Sequence, residues 1–133
     1  NTNLIGTIFC TREIIPAFVR SKAGRIINFS SLAVKIGLQG ESVYVASKAG
    51  VEGFSRSIAR ELASFNVTVN CISPGPVKTR LTEKVPKTYI DKVMQQQIMT
   101  DQCTEEDILN CVKLILDSKS DKITGENFII GGF

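Results

Sequence analysis

Gly24-Arg25-Ile26-Ile27-Asn28-Phe29-Ser30-Ser31 decides the fold. Arg25 to Phe29 is rich in apolar and β-branched residues and reads as a short buried strand. Ahead of it, Ser21-Lys22-Ala23-Gly24 is a turn. Asn3 to about Arg20 reads as a helix, because Leu4, Ile8, Thr11, Ile15 and Phe18 recur at spacings of three and four. Pro16 should kink that helix or mark its last turns.

Beyond the strand, Ser30 to Ser42 carries Gly37 and Gly40 and reads as a loop. Val43 to about Phe65 is a second helix with an apolar stripe of Val51, Phe54, Ile58 and Leu62. Its small residues, among them Ala49, Gly50, Gly53 and Ser57, imply close approach of another backbone. That backbone belongs either to the sheet of the same chain or to a helix of a second subunit. Val67 to Ile72 is a second strand, stopped by Ser73-Pro74-Gly75-Pro76. Tyr89, Ile90, Val93, Met94 and Ile98 suggest an amphipathic helix within a polar stretch. Thr104 is a helix cap ahead of Glu105-Glu106-Asp107, which complement the positive end of the helix dipole. Ile108, Cys111, Val112 and Ile115 form that helix's buried side, and Asn127 to Ile130 is a last strand. Strands alternating with helices indicate one α/β domain with parallel strands over residues 1–133. Three strands leave an open apolar edge, so the segment should need further sheet or a partner for stability.

The chemistry lies just after the first strand. Tyr44 and Lys48 are four apart, on one face of a helix and one turn from each other. A phenol ordinarily titrates at about pH 10. A nearby ammonium favours the phenolate and makes the phenol a usable general acid or base. A hydroxyl such as that of Ser31, held beside it, would hydrogen-bond a carbonyl oxygen as charge develops there. The outline is that of a carbonyl-reduction site.

These residues resemble the Ser, Tyr-x-x-x-Lys signature of the short-chain dehydrogenases/reductases. The resemblance runs along the chain through Asn3-Leu4-Ile5-Gly6, Gly24 to Ile27, Asn70 to Thr79 and Ile123-Thr124-Gly125-Glu126. It looks most like the 3-oxoacyl-acyl-carrier-protein reductases. The resemblance implies the C-terminal half of a doubly wound, Rossmann-type parallel sheet. The N-terminal half that holds the dinucleotide phosphates is expected to be missing, since no glycine-rich turn precedes the first helix. It implies Asn3, Ser31, Tyr44 and Lys48 as catalytic residues. Tyr44, Lys48, Pro74, Gly75 and Val77 would meet the nicotinamide end of NADP or NAD, and Thr79 would assist near the cofactor phosphates. Residues 80–103 match the family's variable substrate lid, whose methionines and isoleucine either meet an apolar acyl chain or pack inward. The implied reaction is hydride transfer to a carbonyl, with Tyr44 as general acid. The implied substrate is a 3-oxoacyl thioester on acyl carrier protein, or alternatively a sugar, steroid or small ketone. The implied setting is fatty acid biosynthesis in the cytoplasm, by a homodimer or homotetramer. The other reading is an inactive, truncated paralogue that serves as an assembly partner.

Composition narrows the classes. Of 133 residues 43% are hydrophobic, which fits a globular chain rather than a disordered one. The net charge of +3 is small and its basic residues are scattered, which argues against nucleic acid. There is no apolar run of membrane-spanning length. Cys10, Cys71, Cys103 and Cys111 form no Cys-x-x-Cys pair and histidine is absent, so no zinc site is expected. The missing histidine also removes a Ser-His hydrolase within this chain. The cysteines read as small core residues of a reducing compartment.

Overall fold

A computed structural model describes residues 2–80 and 82–133. Three strands form one parallel sheet: β1 (Gly24–Phe29), β2 (Val67–Pro74) and β3 (Asn127–Ile130), in the order β1-β2-β3. Gly24 to Phe29 pair in register with Val67 to Ile72, and Cys71 to Pro74 pair with Asn127 to Ile130. β2 is the central strand, and every residue from Val67 to Ser73 is buried. A parallel strand covered on both faces needs such a run.

The helices cover both faces. α1 (Thr2–Ser21) and α3 (Ser42–Leu62) lie on one side, where Ile26, Ala59, Leu62, Val67 and Val69 form a core with Ile15 and Phe18 packed against it. α5 (Glu105–Leu116) covers the other side through Cys111 and Ile115, packed with Ile72, Ile27 and Phe128. Its start is a full capping box: Thr104 Oγ1 accepts from the Asp107 amide, and the Asp107 carboxylate accepts from the Thr104 amide.

The structure bears out the sequence reading at Pro16 and amends it in two places. α1 runs on through Pro16 to Ser21, so the proline marks the last turns without ending the helix. The loop of residues 30–42 contains a short helical turn, α2 (Ala33–Ile36), closed by Gly37 at φ +61°. α4 spans Lys87–Met94 only; Ile98 lies beyond it and is 70% exposed. A helix of about three turns from Lys87 would be needed to bring Ile98 onto the stripe of Tyr89, Ile90 and Val93, and the chain leaves the helix at Gln95. Among the described residues no helix is long and apolar enough to cross a membrane.

Candidate active site

The carboxyl ends of β1 and β2 open onto one cleft of about 470 Å³. In open α/β sheets, ligands bind in the crevice outside the carboxyl ends of the strands. β1 delivers Ser30 and Ser31, β2 delivers Pro74 and Gly75, and the first turn of α3 delivers Tyr44. α4 closes the far side with Tyr89, Ile90 and Val93.

The two serines have different commitments. Ser30 is buried and donates to Glu52 Oε1 at 2.7 Å. Ser31 is half-buried, and its Oγ accepts the Ala33 amide at 3.2 Å, which leaves its own proton to donate. Both line the cleft.

Lys48 lies one turn along α3 from Tyr44. Its ammonium donates to the Phe29 carbonyl at 2.9 Å and sits 5.9 Å from the centre of the Tyr44 ring. The last carbonyl of β1 therefore anchors the cation beneath the phenol. Partial burial lowers the Lys48 pKa from its ordinary 10.5, and the neighbouring Cys71 acts in the opposite direction. Tyr44 itself remains 37% exposed, so its ring is within reach of a ligand in the cleft.

Asn3 stands apart from the cleft-lining group. It faces α3 from α1, and its amide donates to Ser47 Oγ at 3.3 Å, next to Lys48 in the chain. Ser47 Oγ in turn donates to the Tyr44 carbonyl at 2.7 Å.

Pro74, Gly75, Val77 and Thr79 line the cleft floor. Thr82, which the sequence reading passed over, clamps this loop. Its hydroxyl donates to the Val77 carbonyl at 2.6 Å and accepts from the Thr79 amide at 2.8 Å. Val77 also bridges to Cys103, which ties the loop to the segment before α5. Glu52 was missed too, being a charged residue on a helix; it is buried, Ser30 donates to it, and the Ser73 hydroxyl, whose shorter bond goes to Asn127 Oδ1, lies 3.4 Å from it. Its spacing of four from Lys48 was the available signal.

These residues could hold the nicotinamide end of a dinucleotide: a clamped, glycine-containing loop, a phenol and a free serine proton share one crevice, with an anchored ammonium beside the phenol. Among the described residues no group of acidic, cysteine or histidine side chains is placed to hold a metal.

Known proteins agree with this architecture. A family model described as enoyl-(acyl carrier protein) reductase matches residues 1–132. Nodulation protein G of Rhizobium meliloti is 35% identical over 130 residues, covering 98% of this chain and 53% of that protein. The 3-oxoacyl-acyl-carrier-protein reductase of Staphylococcus epidermidis is 34% identical over 132 residues, covering 99% of this chain and 54% of its own length. A solved structure described as a 4-hydroxyisoleucine dehydrogenase mutant complexed with NADH and succinate superposes with a TM-score of 0.84 at 31% identity. It covers 98% of this chain and 55% of that one. The chain thus spans about half the length of the curated relatives it matches, and its three strands and flanking helices are half of a Rossmann-type sheet. The chain belongs to the short-chain dehydrogenase/reductase family of oxidoreductases and resembles its 3-oxoacyl-acyl-carrier-protein reductases.

Proposed function

We propose that the protein carrying this chain reduces a carbonyl with NADPH or NADH, and that Tyr44 is its general acid. One observation carries the reading: the Lys48 ammonium is anchored by the Phe29 carbonyl 5.9 Å from the ring of Tyr44, which lines the same cleft as Ser31. When bound, the reduced nicotinamide supplies the hydride that adds to the carbonyl carbon and is itself oxidised. Ser31 donates its proton as a hydrogen bond to the substrate oxygen and stabilises the charge that grows there. Tyr44 transfers its hydroxyl proton to that oxygen, giving the alcohol. Lys48 stabilises the phenolate left behind. Asn3 joins through Ser47 as part of the route by which the proton is restored. Pro74, Gly75, Val77 and Thr79 hold the nicotinamide end, with Thr82 fixing the loop's shape.

The proposed substrate is a 3-oxoacyl thioester, presented on acyl carrier protein in cytoplasmic fatty acid synthesis. Residues 80–103 form the proposed lid. Ile98 and Met99 are exposed, so the apolar lining comes from Val85, Ile90 and Val93 instead of the methionines. The proposed assembly is a homo-oligomer, supported by Ile5 and Phe9 exposed on α1 and by Gly53 open on α3.

Tyr44→Phe tests the reading. With a 3-oxoacyl thioester, turnover is expected to fall about a hundred- to ten-thousandfold while the circular dichroism spectrum is unchanged. Near-normal turnover would sink the assignment. A calorimetric titration with NADPH and NADH separates it from a scaffold role, for which neither would bind at millimolar concentration.

A further inference from the structure

Gly75, Gly131 and Gly132 form a slot that one stretch of residues 80–103 fills. A Cβ added to Gly75 would fall on the side-chain amide of Gln97, and one added to Gly131 would lie 2.5 Å from Gln97 Nε2. A Cβ on Gly132 would lie 3.1 Å from the Ile98 side chain. Gln97 is buried there, whereas Ile98 and Met99 after it are exposed. The backbone makes the same junction. The Met99 amide donates to the Gly131 carbonyl at 2.9 Å, and the Gly75 amide donates to the Ile130 carbonyl at 3.2 Å. Val77 bridges to Cys103 a few residues on.

The slot gives Gly75 a reason that lies within the chain. The nearest atoms to its absent Cβ all belong to Gln97, so the bare side of this glycine faces the proposed lid. Its other neighbours line the cleft with Pro74, Val77 and Thr79. The hold is one of shape. Gln97 Oε1 has no hydrogen-bond partner among the described residues, and Nε2 reaches the Met99 carbonyl only at 3.4 Å. A buried, unpaired amide oxygen destabilises, so bonding does not account for this side chain. What its presence fixes is the position of the loop at residues 74–79 against residues 95–103. A loop held in its binding shape before the ligand arrives does not bear the ordering cost on binding.

We infer that Gln97 is a positioning residue: seated between Gly75 and Gly131, its side chain sets the loop of residues 74–79 to receive the nicotinamide. The lid and the cofactor loop are thereby one unit. The inference rests on the carbonyl-reduction reading and goes further by naming the residue through which the lid acts on cofactor affinity.

The test uses the protein carrying this chain and titrates NADPH and NADH by nicotinamide fluorescence, with no substrate present. For the cofactor that the parent binds, Gln97→Ala is expected to raise the dissociation constant about tenfold, the cost of ordering a loop no longer pre-set. Gln97→Met refills the slot and should restore most of the affinity. Ile26→Val, a core truncation away from this loop, separates positioning from general loss of stability and should not move the constant. Gly75→Ala places a methyl on the Gln97 amide and should weaken binding; adding Gln97→Ala makes room for that methyl and should recover part of the loss. This pair keeps the test open if Gln97→Ala alone fails to fold. A Gln97→Ala constant equal to the parent's overturns the inference, as do Gly75 and Gln97 effects that simply multiply. In both cases parent binding leaves the carbonyl-reduction reading standing. If the parent binds neither cofactor, both readings fall together.

Discussion

Lys48 carries its charge into a half-buried niche, and this sets a pH dependence. Its pKa in the folded chain lies below the ordinary 10.5, chiefly through burial. The unfolded chain thus binds more protons in the window between those two values, and stability rises with pH there. The burden of the charge is complete below the lowered pKa and gone above 10.5. Measured by urea unfolding against Lys48→Met, the parent is expected to gain as pH climbs through that window. The opposite slope would mean that the bond to the Phe29 carbonyl outweighs burial. The cysteines divide just as sharply. Cys10 is exposed, while Cys71, Cys103 and Cys111 are buried with thiol pKa values raised above 9.0, mainly by desolvation. Since the thiolate is the reactive form, brief alkylation followed by peptide mapping should label Cys10 and spare the other three.

At the scale of the element, α5 depends on its first turn. Thr104→Ala removes the acceptor for the Asp107 amide and should cost about 1 kcal/mol, read as a lower urea midpoint. The Asp107 carboxylate, bonded to the Thr104 amide and hydroxyl, has its pKa held below 3.8. Its contribution is present above that value and is lost as pH falls through the lowered one. α3 poses a different question. A methyl group at Gly53 would meet nothing within 4 Å beyond its own stretch of helix among the described residues, so Gly53→Ala should stabilise the isolated fold by about 1 kcal/mol through helix propensity. If a second copy packs on this face, the same substitution should weaken assembly in sedimentation while raising the stability of the dissociated chain. The helix's other glycine, Gly50, is thin for an internal reason, because a Cβ there would lie 2.8 Å from a Leu4 methyl on α1. Gly50 is thus accounted for by a helix of the same chain, a neighbour that the sequence reading did not name, and the second-subunit reading rests on the Gly53 experiment.

Across the whole molecule, apolar surface is unevenly placed. Ile5 and Phe9 are 41% and 52% exposed one turn apart on α1, and contiguous exposed apolar patches mark interaction surfaces. Phe9→Glu should therefore shift the sedimentation profile of the protein towards smaller species; an unchanged profile would remove α1 from the proposed interface. The sheet asks for company as well: among the described residues β1 and β3 each have one unpaired edge.

The elements were legible because each is written locally. β3 runs from Asn127 to Ile130 as read, and the stripes of α1, α3 and α5 face the cores that their periodicity indicates. Ile98 was misassigned because periodicity cannot say where a helix stops once its spacing fits by accident. Tyr44 and Lys48 were visible because both stand on one helix, where a spacing of four is itself a contact. Ser30 and Ser31 are neighbours of one residue type, and nothing local separates them. Glu52, 22 positions away on α3, takes the Ser30 proton and leaves that of Ser31 free. Thr82 and Tyr89 acquire their places the same way, one by reaching back to Val77 and the other by turning into a cleft formed at the ends of β1 and β2. Sequence by itself determined the strands, the helices and the pairing of phenol with ammonium, because hydrophobic period and helical spacing are short-range. Only the tertiary structure decided which hydroxyls keep a free proton, because that depends on partners brought together from distant parts of the chain.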